Sequence, residues 1–145
     1  MTLQQAVDAA EDDETVVVVK DLSASGAEYF ITLDDESKTV TVDLNGKTLL
    51  YTGSGTGSNP QNGEAISVSA GKLVLKNGTV NMVNDEAGGS VYWGIRVHGT
   101  GSLAMSKVTV KSEDSPLFMS AVSAGGKFTL PLTNAISRAF TVRFT

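Results

Sequence analysis

The sequence predicts an all-β fold, a right-handed, single-stranded parallel β-helix of about four coils under a short N-terminal capping helix. Three observations carry this. Short strand-like segments recur in the same order, turns containing Gly or Asn separate them, and those turns are too short to hold crossover helices. Composition agrees, with 15 Gly, 3 Pro and abundant Val, Thr and Ser among 145 residues. Residues 1–145 read as a single domain, with a helical cap at 2–10, coils at 16–130 and an irregular or truncated terminal coil at 131–145.

The cap comes first. Thr2 as N-cap with Gln5 three residues on is a capping box, and Leu3, Ala6, Val7 and Ala10 form one apolar stripe at helical spacing. The helix should end near Ala10, because Glu11, Asp12, Asp13 and Glu14 are unfavourable at the negative end of a helix dipole. Val16, Val17, Val18 and Val19 then read as a strand buried on both faces or lying at the end of a stack. Residues 29–33 make a second strand, and Asp34, Asp35 and Glu36 the turn after it.

From there the chain repeats itself. Residues 38–42 lead into an Asn45-Gly46 turn, and residues 72–75 into an Asn77-Gly78 turn. Residues 65–68, Gly71, 72–75 and 79–80 recur as 94–97, Gly101, 102–105 and 109–110, and a shorter copy begins at Ser120. An antiparallel hairpin sandwich would also use Asn-Gly turns, but it gives no reason for copies that match in order and spacing. Stacking like strands does, because each coil then buries its inward residues against the same positions of the next. The expected stacks are Ile66 on Ile95, Val68 on Val97, Leu73 on Leu103 and Leu75 on Met105. After Leu130 the pattern fails. Pro131 removes a ladder donor, and Phe140, Val142 and Phe144 alternate in a last strand without a polar cap. A truncated chain, or self-association through that uncapped C-terminal coil, is the expectation.

Charge and composition remove several function classes. A net charge of −5 disfavours nucleic acid as the main partner, since phosphate binding needs a basic face. Ten of the 16 acidic residues lie within residues 1–36 beside one base, Lys20, and the other ten of the 11 bases follow, so the first coil reads as a solvated acidic cap. The absence of Cys rules out disulfides, thiolate catalysis and Cys-ligated zinc. No stretch reads as a membrane span or signal peptide. Taken literally that places the chain in the cytosol, although a chain whose signal had been removed would look the same.

Residues 3–10 in the pattern Leu3-x-x-Ala6-Val7-x-x-Ala10, a polar gap, the Val run and Val42-Asp43-Leu44-Asn45-Gly46-Lys47-Thr48-Leu49 together resemble the start of pectate-lyase-like right-handed β-helix proteins. The likeness is strongest to non-catalytic β-helix segments of bacterial surface and adhesin-like proteins, and it covers about residues 2–128. It implies that the helix hides the open hydrophobic end of the first coil. It also implies an extracellular or cell-surface location.

Enzymes of that superfamily are lyases, which use a basic group and calcium, or hydrolases, which use clustered Asp. Neither set is evident here. Outward acids on the repeating strands are nearly absent; Asp43 is the exception, and its equivalent in the next copy is Lys76. Arg96 and His98 alternate on one strand without a carboxylate partner there, and read as solvated side chains on a sheet face. The acidic turn residues Asp85, Glu86, Glu113 and Asp114 fall on neighbouring coils about 4.8 Å apart. They are candidate calcium ligands, or else splay into water.

The longest loops precede equivalent strands and so should emerge along one edge. Tyr92 and Trp93 lie there, with Asn59, Gln61 and Asn62 in the neighbouring loop. Exposed aromatic rings beside amides suit a polysaccharide or cell-surface glycan; the plainer reading of Trp93 is core that covers a coil seam. Asn77-Gly78-Thr79 matches a glycosylation sequon that also explains itself as a turn. A Thr ladder for an ice or crystal surface is not expected, since Thr39, Thr41, Thr79 and Thr109 form no even row. The expected function is a non-catalytic scaffold or adhesion module, and the alternative is a fragment of a polysaccharide lyase or glycoside hydrolase.

Overall fold

The computed structural model describes residues 1–25, 29–53, 65–84, 95–112, 118–122, 127–129, 136–137 and 141–142. Among the described residues one short helix, α1 (Leu3–Ala9), precedes eleven strands. They are β1 (Glu14–Val17), β2 (Leu22–Ser25), β3 (Ile31–Asp43), β4 (Thr48–Gly53), β5 (Ile66–Asn84), β6 (Ile95–His98), β7 (Ser102–Ser112), β8 (Phe118–Val122), β9 (Lys127–Thr129), β10 (Ile136–Ser137) and β11 (Thr141–Val142).

Every strand pair among the described residues is parallel, and the register sorts them into three columns. In the first, β1, residues 39–43 of β3, residues 72–76 of β5, residues 102–106 of β7 and β9 follow one another. In the second, β2, β4, residues 79–84 of β5, residues 108–112 of β7 and β10 do the same. The third runs from residues 31–34 of β3 through the start of β5 to β6, β8 and β11.

Alternation then sets the core. Ile31, Ile66 and Ile95 stack in register, as do Leu33, Val68 and Val97; Val40, Leu73 and Leu103; Val42, Leu75 and Met105; and Leu49, Val80 and Val110. All are buried in one cluster that also takes in Leu3 and Val7 of α1. The four stacks expected from sequence are present.

β5 and β7 run through a corner as single strands, and β3 and β4 meet β5 as two. Asn45, Asn77 and Lys107 adopt positive φ of 51°, 60° and 54° at successive levels of one corner. Asn is among the few side-chain-bearing residues that tolerate this region. The Leu44 N–H donates to the Lys76 carbonyl at 2.8 Å and the Gly46 N–H to the Asn77 carbonyl at 2.6 Å, which ties one level to the next. At the corner around Asp34–Asp35–Glu36 the expected turn exists, but as a bulge inside β3. Asp34 pairs with Ala70 and Thr39 with Lys72, so residues 35–38 loop out opposite the single Gly71.

The capping box forms in full. The Gln5 N–H donates to Thr2 Oγ1 at 3.1 Å, and the Thr2 N–H donates to Gln5 Oε1 at 2.8 Å. The other end of α1 is completed from a distance: Lys38 Nζ donates to the carbonyls of Val7 and Asp8 at 2.8 and 2.9 Å. A cation thus satisfies the orphan carbonyls and answers the dipole where the local sequence places only acids.

Of the two readings of the Val run, the structure bears out the second, the end of a stack: β1 pairs with β3 alone among the described strands, and Val18 is 4% exposed while Val17 and Val19 are 52% and 78% exposed. Among the described residues no strand covers its outer face, and alternate residues turn into the core. The acidic residues of the first level are exposed, as expected, and two of their carboxylates also accept backbone N–H groups. Asp12 Oδ1 accepts the Thr39 N–H at 2.7 Å, and Asp21 Oδ1 accepts the Thr48 N–H at 2.8 Å. Residues 29–30 lie before the strand rather than in it, with Phe30 buried against Tyr51 at a centroid distance of 6.5 Å.

Candidate functional site

The candidate glycan contacts Asn59, Gln61, Asn62, Tyr92 and Trp93 lie outside the described residues, as do the calcium candidates Asp85, Glu86, Glu113 and Asp114. The strand ends on either side of those segments are described. Gly53 pairs with Asn84 and Met82 with Ser112 before the segments, and Ile66 pairs with Ile95 and Arg96 with Ser120 after them. The three segments 54–64, 85–94 and 113–117 therefore join the same two columns at successive levels. No cluster of three metal-ligating side chains occurs among the described residues.

The other residues singled out from sequence can be placed. Asp43 and Lys76 face each other across the first column at 3.5 Å. Asp43 Oδ1 also accepts the Asn45 N–H at 2.9 Å and Asn77 Nδ2 at 3.1 Å. These donors, led by the Asn45 N–H and followed by the Asn77 amide, hold the Asp43 carboxyl below the ordinary aspartate value of 3.8, with a smaller contribution from the Lys76 charge. Asp43 is thus a corner brace and not a proton donor near neutrality. The same bond employs the Asn77 amide nitrogen that glycosylation would need, on a half-buried residue. Arg96 and His98 share a face of β6 but are half-buried rather than solvated, and His98 Nε2 lies 3.4 Å from the Oγ of the buried Ser67.

Because the folded pKa of Asp43 is lowered, its bonds favour the ionised state. Their contribution is fully present above the unfolded-state value and is lost as pH falls through the lowered folded value. Urea unfolding of the Asp43→Asn variant should therefore show a shallower loss of stability below about pH 4 than the parent, with the difference largest near pH 7. Equal acid limbs would show that these donors do not favour the carboxylate.

A polar cleft of about 400 Å³ opens beside the β3 bulge, lined by Glu36, Lys38, Thr39, Gly71, Lys72 and Thr100. Glu36 Oε1 accepts from Thr100 Oγ1 at 2.9 Å across the cleft. Sequence reading saw Glu36 only as a turn acid; the signal for its partner was the Gly99-Thr100-Gly101 turn. Asp35 next to it accepts both the N–H and the Oγ of Ser37, and these bonds lower its pKa. A row of Thr also exists that sequence reading missed: Thr48, Thr79 and Thr109 stand in register.

No family model, no curated protein and no solved structure matches the chain. No helix of the described residues is long and apolar enough to cross a membrane.

Proposed function

We propose that the chain is a right-handed parallel β-helix module of about four coils, working outside the cell or on its surface as a non-catalytic scaffold. Its lateral loop edge, through Tyr92 and Trp93 with Asn59, Gln61 and Asn62, is the proposed contact for polysaccharide or cell-surface glycan. The observation that carries the reading is the register, in which like residues such as Ile31, Ile66 and Ile95 sit at the same point of successive levels. Parallel strands joined by short connections stack this way when the chain winds in one sense, and crossovers between parallel strands are overwhelmingly right-handed. The glycan contact follows from the three loop segments meeting the same two columns. It also follows from the chemistry of an aromatic ring beside amides, which meets both faces of a sugar.

Trp93 is the single tryptophan, so its fluorescence reports on that edge alone. Glycan-array binding with a matching change in tryptophan fluorescence is the expected result, and Trp93→Ala should weaken that binding by roughly tenfold or more. Absence of binding to any glycan would sink the sugar reading and leave the scaffold.

A further inference from the structure

The first level of the stack is incomplete in one column. Residues 40–43 of β3 rest on β1, and β4 rests on β2, but no described strand pairs with the outer edge of residues 31–34. Helix α1 lies at that edge instead. In a parallel ladder alternate residues turn both backbone groups to the same side, and Thr32 turns both of its own to α1. The Gln4 carboxamide meets them as a neighbouring peptide would: Gln4 Oε1 accepts the Thr32 N–H at 2.5 Å, and Gln4 Nε2 donates to the Thr32 carbonyl at 3.0 Å. One side chain imitates one residue of the missing strand.

The helix that carries this group is weakly held. Its seven residues are too few to be helical alone. It is anchored by Leu3 and Val7, the Gln4 bonds and the two Lys38 bonds to its last carbonyls. Imperfectly packed grooves of about 480 and 240 Å³ border it, lined by Met1, Leu3, Val19, Lys20 and Leu22 among others. An element with few buried contacts opens before the core does.

We infer that α1 is a strap whose Gln4 amide shuts a latent strand-pairing edge on β3, and that the strand it excludes belongs to a second copy of this chain. Charge supports that occupant. The first 36 residues hold ten of the 16 acids, while ten of the 11 bases lie beyond them, so this end of one molecule attracts the remainder of another. Unprotected edges of this kind are where β-proteins self-associate. This inference is independent of what the loop edge binds.

The test is Gln4→Met, which keeps the length of the side chain and removes both bonds, alone and with Lys38→Met. Hydrogen exchange of the Thr32 amide should accelerate about fivefold to tenfold in Gln4→Met, and more in the double variant. Light scattering over a concentration series should show the double variant forming dimers or larger species where the parent is monomeric. Gln4→Glu, which retains an acceptor for the Thr32 N–H but replaces the donor to Thr32 and Asp8 by a carboxylate, should restore part of the protection and the monomer even if the Met variants fold poorly. Unchanged Thr32 exchange would overturn the inference, as would faster exchange in a chain that stays monomeric throughout. A dimer in which α1 and Thr32 remain fully protected would overturn it too, because the copies would then have exchanged helices.

Discussion

Replacing Leu73 with Ala is expected to remove about 3 to 5 kcal/mol of folding stability, the upper part of the range for truncating a buried leucine. Leu73 is fully buried at the centre of the first column, between Val40 on one side and Leu103 on the other, both equally buried. The size of such a loss depends on how far the surroundings can close on the void. Here the strands above and below are fixed at ladder spacing by backbone hydrogen bonds, so collapse along the stack would break the ladder itself. Against a typical domain stability of about 5 to 15 kcal/mol, the change takes about a fifth or more. It should appear as a lower urea midpoint at unchanged slope. The adjacent Val74 points outward and is half-buried, and Val74→Ala should cost about 1 kcal/mol or less. Equal losses at the two positions would contradict the alternation on which the columns rest.

That alternation is why so much of the fold was legible. Ile66 and Ile95, or Leu73 and Leu103, announce their stacking because each level repeats the same inward positions, and repetition is visible in one dimension. Features tied to no repeat were not visible. The Val run left two readings open, burial on both faces or the end of a stack, because hydrophobicity alone cannot say that no layer covers Val17 and Val19. The partners that complete α1, Lys38 for its last carbonyls and Thr32 for Gln4, lie 28 to 31 residues downstream, and no local motif links them. Thr48 joins Thr79 and Thr109 only once the register across the Asn45-Gly46 corner is known. For the candidate site the balance reverses. Trp93 and its neighbours were named from their chemistry, a property of the residues themselves, whereas the Glu36–Thr100 clasp depends on a corner geometry that composition does not encode.

Two glycines with nearly the same backbone separate conformation from space. Gly71 has φ +72° and Gly46 φ +76°. A β-carbon on Gly46 would meet nothing within 4 Å, whereas one on Gly71 would lie 2.2 Å from the Asp35 carbonyl oxygen and 2.6 Å from that of Lys38. Gly46→Ala should therefore cost only the left-handed penalty of about 1 kcal/mol. Gly71→Ala adds to that a forced movement of backbone, for a total of about 2 to 4 kcal/mol. At about 3 °C per kcal/mol for a domain of this size, thermal unfolding should fall by roughly 3 °C and 6 to 12 °C respectively. The larger loss has a local consequence as well. The backbone that must move is the β3 bulge, which presents Glu36 to Thr100 and Lys38 to the end of α1. Gly71→Ala should thus speed hydrogen exchange in α1, which Gly46→Ala should leave unchanged. Equal melting losses would mean that the bulge yields freely; it would then be a loose loop and not the rigid wall of the cleft.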